Sequence, residues 1–185
     1  MQTDVRAASD AATGTAGRVE GLFITAMAGA PMTACRSVRA MVGKGLAGDR
    51  YAAGIGTYSA VPGGNRELTL MAAESLEVIA REFDVSLPQT ECRRNIVTRG
   101  VNLDALYGKR FRIGAVECYG ARECPPCGYI ERLTGIGGLN RALAGRGGLR
   151  VDILSDGEIT LGDTIHDVRD AGRERTDREP VVLLS

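Results

Sequence analysis

Between residues 18 and 168 the chain is cut into short apolar and alternating runs by glycine-bearing turns, and this punctuation is what most limits its fold. Residues 18–25, 37–42, 66–71, 109–113, 115–119, 158–161 and 164–168 are each rich in strand-forming residues and bounded by turn residues, so each reads as a β-strand. Further strands are expected where residues 92–98 run on from a pair of arginines and where 146–154 leave a Gly-Gly turn. The 25 glycines supply the turns that such a fold needs. Only residues 72–83 carry a good helical stripe, with Ala72, Leu76, Ile79 and Phe83 on one face. Residues 128–133 and 138–143 are weaker helical pieces. Many strands and little helix predict a mainly β fold, a closed or nearly closed β-barrel with a few peripheral α-helices. Run 37–42 is expected to lie beside 18–25, and 109–113 to form a tight hairpin with 115–119 about Gly114.

A chain of 185 residues that is 44% hydrophobic can bury one core without disulfide staples, so one domain is expected. Residues 1–16 are small and polar and read as a disordered leader. Residues 17–168 form the barrel domain, and residues 169–185, nearly all charged or small until their last apolar residues, form a tail. Lys+Arg and Asp+Glu both total 23, so no net field draws the molecule to nucleic acid or to an anionic membrane. At 4% aromatic content and without tryptophan, the chain also lacks the residues on which single-stranded bases stack. Five cysteines, no apolar signal segment and no run approaching a membrane span predict a cytoplasmic protein with reduced thiols.

Chemistry concentrates in the stretch from Arg122 to Ile130, where Cys124, Pro125, Pro126 and Cys127 form a turn that opens the first of the weak helices. Free N–H groups and the helix dipole at such a start favour a thiolate, which makes it a nucleophile or a metal ligand. Cys-x-x-Cys spacing alone fits a redox dithiol, half of a zinc site, or a single reactive thiol with a neighbour. A thioredoxin-like motif belongs near the start of an alternating strand-helix chain, and this one comes late. A closed zinc site must draw its other ligands from Cys35, Cys92, Cys118 and His166, none of which form a second close pair. Two other stretches could receive an anion. The loop 43–50 brings Gly43, Gly45 and Gly48 to the pair Asp49-Arg50, whose bland reading is a hairpin connection with a surface ion pair. The run Arg93-Arg94-Asn95 offers guanidinium forks followed by an amide. Residues 52–65 make a long loop of the kind that often covers a site.

Taken in order, Gly45-Leu46-Ala47-Gly48-Asp49-Arg50, Arg93-Arg94-Asn95-Ile96, Cys127 in its Pro-Pro turn, and Arg146-Gly147-Gly148-Leu149-Arg150 with Gly162-Asp163 resemble one family. The chain is similar to a stand-alone MOSC domain, the family named for the C-terminal domain of molybdenum-cofactor sulfurase, from about Gly17 to Val168. The resemblance implies a β-barrel that binds molybdenum cofactor (molybdopterin) and presents one cysteine thiolate to the metal or to a persulfide sulfur. By that resemblance Cys127 is the catalytic and metal-ligating cysteine, and Arg93 and Asn95 contact the cofactor. Arg50, with Gly48 and Asp49, is the matching Gly-Asp-Arg element.

The activity so implied is molybdenum-dependent reduction of small N-hydroxylated compounds. The alternative is a sulfur-carrier or delivery module with a persulfide on Cys127, and a zinc-stabilised binding module is a third reading. The chain has no pyridoxal-phosphate domain of its own and no flavin or iron–sulfur signature, so besides its small-molecule substrate it would need a separate redox partner or sulfur-donor protein. Within the turn, the two prolines are expected to hold Cys124 extended and outside the helix and to leave Cys127 in the first helical turn, so that Cys127 is the more acidic thiol.

Overall fold

The computed structural model describes residues 17–60 and 66–167. Its strands are β1 (Gly17–Ile24), β2 (Thr33–Ala34), β3 (Ser37–Met41), β4 (Gly45–Leu46), β5 (Leu68–Ala72), β6 (Ile96–Arg99), β7 (Arg110–Ile113), β8 (Val116–Glu123), β9 (Leu149–Ile153), β10 (Gly157–Thr160) and β11 (Thr164–Asp167). Three helices accompany them, α1 (Ala73–Phe83), α2 (Gly128–Thr134) and α3 (Leu139–Ala142). Strands β11, β7, β8, β9, β5, β6 and β1 are hydrogen-bonded in that order, and β1 pairs back onto β11, so the sheet closes into a barrel. Closure leaves the barrel sheet without an open edge.

Alternation along the strands gives the molecule two apolar layers. Val19, Leu22, Leu68, Leu70, Ile96, Phe111, Ile113, Val151 and Ile165 fill the barrel, while Phe23, Met71 and Val97 point outward under α1 and α3. Helix α1 is the crossover that lets β5 and β6 run parallel, the one parallel pair among the barrel strands. It buries Ala73, Leu76 and Ile79 and ends at Asp84, which adopts a left-handed φ of 54°. A second sheet, β10-β3-β4, packs Val38, Ala40, Leu46 and Ile159 into the barrel core.

The mainly β barrel agrees with the sequence expectation, and β7 and β8 form the hairpin about Gly114, with Ile113 opposite Val116. Two local expectations are corrected, the neighbour of residues 37–42 and the place of Phe83. Residues 37–42 do not lie beside 18–25: the short β2 pairs with the end of β1, with Phe23 opposite Ala34, and β3 pairs with β4 and β10 instead. Strands β10 and β11, although joined by a tight turn at Gly162-Asp163, belong to different sheets. Phe83 is not core. It is 39% exposed with the Arg146 guanidinium 5.7 Å from its ring centroid, as the last residue of α1 before the left-handed Asp84 ends the helix. The leader 1–16, the tail 169–185 and residues 61–65 of the long loop lie outside the described residues.

Candidate functional site

Three connections meet at one end of the barrel: the loop after β4, the segment entering β6, and the turn between β8 and α2. A buried carboxylate ties the first two together. Asp49 Oδ2 accepts hydrogen bonds from Thr25 N at 3.2 Å, Arg50 Nη1 at 3.2 Å and Asn95 Nδ2 at 3.3 Å, and its Oδ1 accepts one from Tyr51 N at 3.0 Å. Gly48 at φ +78° turns the chain so that Asp49 enters this position. The Asp49–Arg50 pair is therefore buried and not a surface ion pair, with the two side chains 3% and 7% exposed. With Asp49 holding it, Arg50 also donates to Met32 Sδ at 3.6 Å and lies 4.7 Å from the Tyr51 ring centroid.

The segment entering β6 divides its polar residues between two tasks. Arg93 sits at φ +61°, a left-handed conformation uncommon outside glycine. It is 9% exposed, donates from Nη1 to Ala30 O, and has no hydrogen-bond partner at Nε. Burial first, and then the nearby Arg50 charge, push its pKa below the ordinary value. Arg94 is spent on carbonyls: Nε donates to Gly147 O at 3.0 Å, Nη1 to Cys92 O at 3.3 Å and Nη2 to Cys124 O at 3.2 Å. It thus fastens the thiol turn to the Gly-Gly turn before β9. Asn95 is 3% exposed, donates to Phe23 O at 3.3 Å and to Asp49, and accepts from Thr69 Oγ1 at 2.9 Å.

The thiol turn keeps its two cysteines in different environments. Cys124 is buried, and its amide donates to Gly148 O at 2.8 Å as a continuation of the β8–β9 ladder. Cys127 is exposed and stands at the N-cap of α2 with φ −141° and ψ 156°, one residue before the helix and not in its first turn as the sequence suggested. Extended geometry is the ordinary state of an N-cap residue, and the helix begins at Gly128. Burial of part of the sulfur raises the thiol pKa, but the Tyr58 hydroxyl, the amides of Tyr129 and Ile130, and the Arg94 charge outweigh that and lower it overall. Arg94, and not Arg93, is the guanidinium that favours the thiolate. Tyr58 Oη lies 3.6 Å from Cys127 Sγ, and the phenol pKa is raised, first by this bond.

Tyr58 reaches the sulfur from the long loop, which is held down by the half-buried side chains of Tyr129 and Arg66. The Tyr58 and Tyr129 rings meet edge to face with centroids 6.2 Å apart. Arg66 donates from Nη1 to Tyr58 O at 3.0 Å and places its guanidinium 4.8 Å from the Tyr58 ring centroid. Thr57 Oγ1 donates to Tyr129 Oη at 3.3 Å. The described part of the loop therefore covers one side of the thiol.

Between these parts lies a cavity of about 80 Å³ whose walls include Cys127, Tyr58 and the guanidinium-bearing residues Arg50, Arg66, Arg93, Arg94 and Arg150. No carboxylate lines it among the described residues. A second cavity of about 400 Å³, against Met32, Glu91 and Leu133, shares Arg93 with the first. Of the residues singled out from sequence, Cys127, Arg93 and Arg50 meet in the first cavity. Asn95, Asp49 and Gly48 stand behind its wall and act by holding Arg50. Arg94, read from the sequence as a second anion-binding fork, lines the cavity but spends its donors on backbone carbonyls. Arg150 stands inside a quoted motif with no role assigned from it, whereas Tyr58 and Arg66 carry no local signal in the sequence beyond the length of their loop. Among the described residues no three His, Cys, Asp or Glu side chains cluster to hold a metal, so the closed zinc site is not assembled. No described helix is long and apolar enough to cross a membrane.

Comparison with known proteins adds the following. The family model of the MOSC domain matches residues 46–166. No curated protein sequence matches the chain. Among solved structures, YuaD from Bacillus subtilis is similar with a TM-score of 0.69 and 17% identity, over 85% of this chain and 99% of that one. YiiM from Geobacillus stearothermophilus gives a TM-score of 0.63 at 15% identity over 83% of this chain and 75% of its own. YiiM from Escherichia coli gives 0.61 at 18% over 83% and 70%. At these identities the structures establish likeness of fold.

Proposed function

Because the chain belongs to the MOSC domain family, we propose that it binds molybdenum cofactor at the arginine-lined cavity, with Cys127 as the ligand, and reduces an N–O bond in a small N-hydroxylated compound. One observation carries the reading: an exposed cysteine with a lowered pKa opens onto a cavity lined, among the described residues, by five arginines and no carboxylate. A thiolate is a soft donor suited to molybdenum, and guanidinium groups suit the phosphate of a pterin cofactor. The partnerless Arg93 Nε fits a site that is completed by an anion, and the larger cavity that meets Arg93 extends the room beyond the thiol.

When bound, the cofactor supplies two-electron redox chemistry. This chain's residues supply the rest. Arg50 and Arg93 bind the anionic part, and Asp49 and Asn95 fix the position of Arg50. Tyr58 Oη, at the sulfur, is positioned to hold a proton next to the reacting group, and the loop that carries it limits the access of water. Electrons come from a separate redox partner.

The test is anaerobic incubation of protein from a cofactor-competent host with an N-hydroxylated base and a chemical reductant. The amine and water should form in wild-type protein and not in Cys127→Ser. Formation of amine by Cys127→Ser at the wild-type rate rejects the assignment. A second reading, a persulfide carrier on Cys127, is favoured by the same lowered pKa, and a sulfur adduct on Cys127 after exposure to a cysteine desulfurase is its signature.

A further inference from the structure

The cavity beside Cys127 is lined by Arg50, Arg93 and Arg150 among other arginines, and by no carboxylate among the described residues. Asp49, the nearest carboxylate to Arg50, is already committed to it and does not line the space. Arg93 is nine-tenths buried, is lowered in pKa by burial and by Arg50, and keeps an Nε with no partner. An anion entering here relieves repulsion among the arginines as well as making charge-assisted bonds. Its size is bounded. A cavity of about 80 Å³ matches the liquid volume of roughly three waters, which suits a small oxyanion.

We infer that the cavity accepts a small oxyanion bearing a sulfane sulfur, of the thiosulfate class, and that Cys127 takes the outer sulfur from it. Cys127 Sγ attacks the outer sulfur. A Sγ–S bond forms as the bond from that sulfur to the sulfonate sulfur breaks, and the electron pair of the broken bond departs with sulfite. Thiolate and thiosulfate become persulfide and sulfite, with no proton moved and no outside oxidant or reductant. The products suit the surroundings: the arginines receive sulfite, and the Tyr58 hydroxyl and the amides of Tyr129 and Ile130 face the sulfur of Cys127.

Leaving-group chemistry separates this from phosphate-ester cleavage at the same thiol. An alkoxide needs a proton as it leaves, which enzymes supply from an acid of pKa near neutrality. No carboxylic acid lines the cavity among the described residues, and the hydroxyl at the sulfur, 3.6 Å away, is the Tyr58 phenol, by nature a far weaker acid. Sulfite leaves as a weakly basic dianion and needs no such acid.

The inference rests on the Cys127 thiolate of the preceding reading and is independent of bound cofactor. The full chain is incubated with thiosulfate, and intact mass, peptide mapping and released sulfite are followed. The expected result is one added sulfur on Cys127 with one sulfite released, inhibition by inorganic sulfate, and thiocyanate formation when cyanide is added. Arg150→Gln should raise the thiosulfate concentration needed for half-maximal rate roughly tenfold, the loss of one charge-assisted bond, and Arg150→Lys should recover part of it. Absence of an adduct on a Cys127 that still alkylates overturns the inference. So does an adduct whose rate ignores both sulfate and the Arg150 changes, since that is ordinary thiol exchange. Molybdenum in the same preparation is measured separately: metal without adduct rejects only this inference, and adduct without metal rejects only the cofactor reading.

Discussion

Replacing Asp49 with alanine tests the architecture of the site from behind. The side chain accepts four hydrogen bonds, from Thr25 N, Arg50 Nη1, Asn95 Nδ2 and Tyr51 N, and it is 3% exposed. Asp49→Ala removes all four and leaves Arg50 as a buried charge without its carboxylate. Breaking a buried pair from one side costs about 3–5 kcal/mol, chiefly for the stranded partner. A domain of this size loses about 2–4 °C in Tm per kcal/mol, so the melting point should fall by roughly 6–20 °C. The loss is a large part of the ~5–15 kcal/mol that holds an ordinary domain folded. Thermal and urea denaturation give the value directly. If the stranded charge is the cause, the double change Asp49→Ala with Arg50→Met is less destabilising than the sum of the two single changes. A loss under about 1 kcal/mol for Asp49→Ala, or strict additivity in the double variant, would refute the argument that this carboxylate organises the loop.

Tyr58→Phe removes the phenol hydrogen bond to Cys127 and should shift the pH profile of Cys127 alkylation upward, with the plateau rate at high pH unchanged or faster; a downward shift contradicts the assigned role. In the wild-type protein, alkylation at neutral pH should label Cys127 first and spare Cys118, whose thiol burial pushes up to about 12, as peptide mapping after brief exposure will show. Gly148→Ala should destabilise by more than the usual ~1 kcal/mol for a point change, because Gly148 sits at φ +100° and a Cβ there collides with the Leu70 carbonyl; a denaturation midpoint equal to wild type contradicts this.

The fold was legible wherever a period and a turn agreed. The hairpin of β7 and β8 was readable because Gly114 stands between two alternating runs, and α1 because its stripe is long. Partners of short strands were not readable. Two residues of β2 are enough to take the edge of β1 and send β3 to another sheet, and no local pattern encodes that choice. In the site, Cys127, Arg93 and Arg50 could be named because they sit in motifs with recognisable neighbours. Asn95, expected as a cofactor contact, does not line the cavity and gives its amide to Phe23 O and Asp49, an orientation set by which acceptors surround it in the fold. Tyr58 and Arg66 come together only because the long loop folds back over the thiol, a contact that depends on tertiary structure alone. The N-cap position of Cys127 differs by one residue from the expected first turn, an ordinary margin for a helix boundary.

The central claim is that Cys127, and not its neighbour in the same turn, binds the metal of the cofactor. Molybdenum should therefore be measured per chain, with pterin fluorescence, in protein purified without oxidation from a cofactor-competent host, for wild type, Cys127→Ser and Cys124→Ser. Near-stoichiometric molybdenum that is lost in Cys127→Ser and mostly kept in Cys124→Ser is the predicted result. Molybdenum far below stoichiometry in the wild type even after reconstitution, or metal retained in Cys127→Ser and lost in Cys124→Ser, would contradict it.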